Sequence, residues 1–145
     1  MPIPDPTVDL DVAARLRTSV TRLNRRLRQQ SLSGLSASQA STLAMVHQMG
    51  SPTLGELARA EQIQPPTMTR LVATMEEADL LVRRSDDKDR RVARVTLTTK
   101  GRRELERIRT LKTAFLVDRL SALSPKDQAR AAELVELLER LGGDR

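Results

Sequence analysis

Apolar residues recur along the start of the chain at helical spacing. Val12, Leu16, Val20, Leu23 and Leu27 stand at i, i+4, i+8, i+11 and i+15, a single stripe that predicts a helix over 7–30. Thr7 is its expected cap, with Asp9 in the first turn, where the helix dipole favours an anion. Ser31 to Leu35 is a connection of mostly small residues. Ser36 with Gln39, and Thr53 with Glu56, have the spacing of capping boxes, which start a helix ending near Gly50 and a shorter one ending near Glu61. Leu43, Val46 and Leu57 are the expected inward residues. Pro65 suits the first position of the next helix, because its missing N–H would be unpaired there anyway. Met68, Leu71, Val72 and Met75 share the face that this helix should bury.

The period then changes from helical to two. Leu80-Leu81-Val82 and the run from Val92 to Leu97 read as strands; in the second, Val92, Arg94 and Thr96 alternate with Ala93, Val95 and Leu97. Between them lies a charged turn from Ser85 to Arg91. Thr98 caps a long helix of about 23 residues, roughly 34 Å at 1.5 Å per residue, with Leu105, Ile108, Leu111, Phe115, Leu116 and Leu120 on its apolar side. Ser124-Pro125-Lys126-Asp127 opens the last helix with a cap, a proline at the first position and an acid at the third. Ala131, Leu134, Val135, Leu137, Leu138 and Leu141 form its stripe, and Gly142 is its expected stop.

Composition narrows the function. A chain of 145 residues suits one domain and can bury roughly 68–70% of its unfolded surface. Its net charge of +6 and pI near 10.9 favour a polyanionic partner. The charge is local: six Arg against one Asp from Asp11 to Gln30, and seven basic residues against three Asp from Arg83 to Lys100. The first helix and the hairpin therefore carry it. The chain has no Cys, which removes disulfides, thiolate metal sites and thiol redox sensing. A single aromatic residue, Phe115, argues against single-strand binding by base stacking. The first helix is basic and amphipathic but has no Trp or Phe for a membrane surface, so its stripe is expected to pack on protein. The start, with three prolines in 1–6, is not a signal peptide, and no apolar run reaches the roughly 18 residues of a membrane span. A cytoplasmic location with no membrane partner is expected. No nucleophile, base and orienting group converge, so no catalytic residue, metal or cofactor is assigned. The lone His47 reads as a packed or surface helix residue, and Met45, Met49, Met68 and Met75 as core fillers.

Helix, turn, helix and a hairpin with a basic tip give the fold class: mainly α with a small β-hairpin wing, a winged helix-turn-helix lobe over 36–101 joined to helical regions over 7–30 and 99–141. In this order the second helix of the pair enters the major groove of double-stranded DNA while the hairpin reaches the adjacent minor groove. The DNA-binding candidates are Gln64, Pro65, Pro66, Thr67, Thr69 and Arg70 on that helix, and Asp89, Arg90 and Arg91 on the wing. The helix face is short, small and hydroxylated up to Arg70, and its acids Glu76 and Glu77 come only at the far end, a polarity suited to phosphates and base edges. Asp89 can hold a neighbouring guanidinium. The first helix and the last two carry more apolar surface than one lobe needs, which points to a homodimer. A basic architectural or protein-interaction module without operator specificity is the competing reading.

These residues resemble the MarR (multiple antibiotic resistance regulator) family of bacterial transcription factors. The likeness covers nearly the whole chain in element order. Its specific part is Asp-x-Arg, then Leu-Thr, then Lys-Gly: here Asp89, Arg91, Leu97, Thr98, Lys100 and Gly101. Thr53-Leu54-Gly55-Glu56-Leu57-Ala58 is similar to the family's third helix, and Thr67-Met68-Thr69-Arg70-Leu71-Val72 to its recognition helix. The resemblance implies a homodimeric repressor on a palindromic operator, with Arg91 the wing arginine and Asp89 its buttress. It also implies release by a small aromatic acid or drug-like effector between the dimer helices and the lobe, where Arg15, Arg22 and His47 are the ligand candidates. The chain departs from the family at Asp79, where a Gly commonly ends the recognition helix; it also lacks the Cys of peroxide sensors and the His-rich set of zinc sensors.

Overall fold

The computed structural model describes residues 9–31 and 34–143. Its elements are α1 (Leu10–Gln30), α2 (Ala37–Met49), α3 (Leu54–Ala60), α4 (Pro65–Glu77), β1 (Leu81–Ser85), β2 (Ala93–Leu97), α5 (Thr99–Ser121) and α6 (Pro125–Gly142). Helix α1 starts later than expected. Thr7 lies outside the described residues, and Asp9 is the cap, its Oδ1 accepting from the Asp11 and Val12 N–H groups at 2.9 and 3.4 Å. A carboxylate there meets both an unpaired donor and the positive end of the dipole. Both capping boxes form: Ser36 with Gln39 and Thr53 with Glu56. At the other terminus, Gly142 is still helical and Gly143 caps α6.

Helices α3 and α4 both end in a left-handed residue that is not glycine, Gln62 (φ 54°) and Asp79 (φ 59°). At α4, Asp79 N–H donates to Glu76 O and Leu80 N–H to Met75 O, both at 2.9 Å. This paired closure satisfies two helix-end carbonyls and turns Leu80 inward against Met75. Asp79 does the work of the usual glycine.

The core lies inside the lobe. Leu43 and Val46 of α2, Leu57 of α3, Met68, Val72 and Met75 of α4, Leu80, Leu81, Val95, Leu97 and Leu105 form one buried cluster. Leu71 and Met45 are only partly buried at its edge. Met49 is not a core residue: it is 39% exposed, because α2 ends there and the chain turns away at Gly50 (φ 85°). The hairpin is antiparallel, in register from Leu81↔Leu97 to Ser85↔Ala93, so Leu80 and Val92 fall just outside the strands. Its other edge meets the segment before α3, through Val95 N–H to Pro52 O at 2.8 Å and a bridge between Thr53 and Arg94.

Hydrogen bonds fasten the lobe to the first turn of α5, and Leu105 further along that helix enters the lobe core. Thr98 Oγ1 accepts the Gly101 N–H at 2.9 Å and donates to Asp79 O, while Thr98 N–H donates to Leu80 O at 3.2 Å. Lys100 Nζ donates to Ala78 O at 2.8 Å. Beyond Ile108 the apolar side of α5 is largely uncovered, and neither α1 nor α6 buries a residue within the chain.

Candidate nucleic-acid interface

The N-terminus of α4 is shaped by what it lacks. Gln64 caps it without a side-chain hydrogen bond, and Pro65 and Pro66 occupy the first two helical positions. Two of the donors that a helix start leaves unpaired are therefore absent, and no side-chain hydrogen bond caps the end. With Met68, Val72 and Met75 fixed in the core, Gln64, Pro65, Pro66, Thr67, Thr69 and Arg70 all fall on the exposed face. The Thr69 hydroxyl donates to Pro65 O at 3.0 Å, leaving its oxygen as an acceptor towards solvent. Arg70 makes no ion pair among the described residues, so its donors stay available to an outside acceptor.

The wing tip is built by its own acids. Asp86 N–H donates to Val92 O at 2.8 Å, and Asp86 Oδ1 accepts the Lys88 and Asp89 N–H groups at 2.7 and 3.2 Å. Asp89 then holds Arg91: its Oδ1 accepts the Arg91 N–H at 3.0 Å and Nε at 3.2 Å. That hydrogen bond from the Arg91 side chain, with the one from its backbone, keeps the Asp89 carboxyl below the usual range. The Arg91 side chain is nevertheless 92% exposed; Asp89 orients it without withdrawing it from solvent. Arg90 is exposed beside it.

Arg94 is the residue that the sequence reading missed. It joins Asp86 through Nε and the Ser51 carbonyl through Nη1 at 2.9 Å. The hydrogen bond from Arg94 holds the Asp86 carboxyl low, and the same bond raises the Arg94 guanidinium. Glu56 is also held low, first by its hydrogen bond from the Thr53 backbone. The available signal was an arginine at an alternating position of a half-buried strand.

The expected ligand residues are not brought together. Arg15 and Arg22 line a shallow depression of about 300 Å³ with Ala14, Thr18 and Ser19, all on α1, while His47 is exposed on the last turn of α2. Helical phase puts Arg15 and Arg22 on one face, but that face does not meet the lobe. A larger cleft of about 680 Å³ does lie between α1 and the lobe, and the cations lining it are Arg25, Arg28 and Lys112.

A helix pair with one bare N-terminus, followed by a hairpin with exposed arginines, defines a winged helix-turn-helix DNA-binding protein. Comparison with known proteins agrees. Residues 35–93 match the model of the MarR family. The HTH-type transcriptional regulator MT0903.1 of Mycobacterium tuberculosis is 32% identical over 127 residues, 86% of this chain and 89% of the relative. The HTH-type transcriptional repressor MdtR of Bacillus subtilis is 28% identical over 105 residues, 72% of this chain and 68% of that one. The crystal structure of a candidate transcriptional regulator from Pseudomonas aeruginosa PA01 superimposes with a TM-score of 0.83 at 33% identity, covering 94% of this chain and 98% of the other. The chain belongs to the MarR family of transcriptional regulators and is not an enzyme. Among the described residues, no helix is long and apolar enough to cross a membrane.

Proposed function

We propose that this regulator acts as a homodimeric repressor, binding a palindromic operator through α4 and the wing and leaving it when a small acid binds. The observation that carries this reading is the bare, uncapped face from Gln64 to Arg70 beside a wing whose acids hold Arg91 outward. In this arrangement α4 supplies base-edge contacts and Arg91 enters the flanking minor groove, where a narrow A·T-rich stretch attracts it most. The dimer is supported by exposed Leu134, Val135, Leu138 and Leu141 on α6 and by Val12, Val20 and Leu23 on α1. A two-fold dimer requires a two-fold operator, with half-sites about one or more helical turns apart. The repressor sign is supported by the likeness to MdtR. A carboxylate effector suits Arg25 and Arg28, whose guanidinium forks pair with carboxylates in two-point contact, with Lys112 adding a point charge. A DNA partner implies a cytoplasmic location.

The test is selection of duplexes from a random library by the full chain, followed by footprinting. Two-fold symmetric protected half-sites are expected. Protection without symmetry, or enrichment of no sequence, would overturn the reading.

A further inference from the structure

A relay of polar contacts runs from the start of α3 to the wing tip, and Arg94 is its centre. On one side, Arg94 Nη1 donates to the Ser51 carbonyl at 2.9 Å and faces Glu56 Oε2 at 4.0 Å. Glu56 is itself fixed, because the same Oε2 accepts the Thr53 N–H at 2.8 Å in the capping box. On the other side, Arg94 Nε donates to Asp86 Oδ2. The second Asp86 oxygen accepts the Asp89 N–H, and the Asp89 carboxylate holds Arg91. Five residues thus connect the helix-turn-helix to the arginine at the wing tip.

We infer that Arg94 is a positioning residue for DNA recognition: it sets the reach of Arg91 relative to α4 without touching DNA. This rests on the DNA reading proposed above. A two-stranded hairpin is marginal by itself. The root of this one is held by Leu81, Val95 and Leu97 in the core and by Arg83 paired with Glu76 of α4, while few contacts steady its far end against the segment before α3. The backbone supplies the Val95–Pro52 hydrogen bond and the bridge at Thr53. Arg94 supplies the link that reaches past the strand into the turn. Its position fits a brace and not a probe: it lies within β2, eight residues from Asp86, and its side chain is 40% exposed against 92% for Arg91. Only a guanidinium suits the place. Its rigid fork donates in two directions at once, to a carboxylate and to a carbonyl, whereas an ammonium is a point charge on a flexible stem.

The experiment compares wild type, Arg94→Ala, Arg91→Ala, the double variant and Asp86→Asn on the duplex that the wild-type chain selects in vitro, at several salt concentrations. Arg94→Ala should weaken binding on the order of tenfold, the scale of a lost hydrogen bond to a charged group. The slope of log affinity against log salt should become no shallower than in Arg91→Ala, because only the Arg91 contact is weakened; a direct Arg94 contact would lower it by about 0.9 more in the double variant. In the Arg91→Ala background, removing Arg94 should cost almost nothing more, since the group that it positions is gone. Asp86→Asn cuts the relay at another point and should reproduce the weaker binding with a slope no shallower than that of Arg91→Ala, which keeps the test open if Arg94→Ala folds poorly. A salt slope shallower in the double variant than in Arg91→Ala would make Arg94 a DNA contact. Fully additive losses would make it a general stabiliser, and wild-type affinity in Asp86→Asn or Arg94→Ala would remove it from recognition; each of these outcomes overturns the inference. Failure of the wild-type chain to select any duplex is a separate result, which counts against the DNA reading itself.

Discussion

A Cβ placed on Gly101 would sit 2.1 Å from the carbonyl oxygen of Leu80 and 3.0 Å from its carbonyl carbon. The first turn of α5 therefore lies directly against the backbone that closes α4. Thr98 and Lys100 bind the neighbouring carbonyls of Asp79 and Ala78. The Leu-Thr and Lys-Gly part of the family signature is thus the joint between the recognition helix and the long helix, and glycine is required there for space.

Gly101→Ala should destabilise the protein, since the obstructing atoms are backbone and cannot rotate away. Overpacking of this kind costs about 1–3 kcal/mol, or about 2–4 °C in Tm per kcal/mol for a chain near this size. Thermal unfolding of the variant checks it. An unchanged Tm would mean that the joint has room which the geometry denies.

Leu138 tests the dimer. It is 37% exposed on a helix that buries nothing within the chain, so Leu138→Asp should be harmless in a monomer. In the proposed dimer it places an unpaired charge in the interface, several kcal/mol unfavourable. Light scattering should show loss of the dimer. A variant that stays dimeric and binds DNA would move the interface elsewhere.

The wing should lose its order in acid, not near neutrality. Asp86, Asp89 and Glu56 all titrate below their ordinary values in the folded chain. Groups lowered by folding contribute stability above their unfolded pKa and lose it as pH falls through the folded one. Unfolded carboxyls titrate at about 4, so stability should be flat from neutrality to about pH 5 and decline below about pH 4. Asp86→Asn should make that decline shallower. A fall in wing stability between about pH 8 and pH 6 would contradict the assignment.

Much of this architecture was legible because helix caps and stripes are local. Ser36 with Gln39 and Thr53 with Glu56 announce helix starts within four residues, and both boxes form. Where two capping residues stand close together, local pattern does not separate them: Asp9, not Thr7, caps α1. Spacing also fixes which residues share a face but not what that face meets. Arg15 and Arg22 do share one, yet the cleft against the lobe is lined by Arg25 and Arg28. Met49 differs from expectation for a related reason: it is the last residue of α2 and is 39% exposed. The Arg94 relay joins Ser51, Glu56 and Asp86 from three separate segments, a convergence no local pattern encodes.

The most direct test of DNA reading by α4 is the affinity ratio between the selected duplex and random-sequence DNA at fixed salt, for wild type and for Arg70→Ala. Sequence-specific recognition predicts a wild-type ratio of about 10³ or more. Arg70 is exposed on the bare face of α4, so its removal should cost about 1–3 kcal/mol on the selected site and relax preference in the half-site. A wild-type ratio near one, or an Arg70→Ala loss equal on both DNAs, would contradict reading of sequence by this helix.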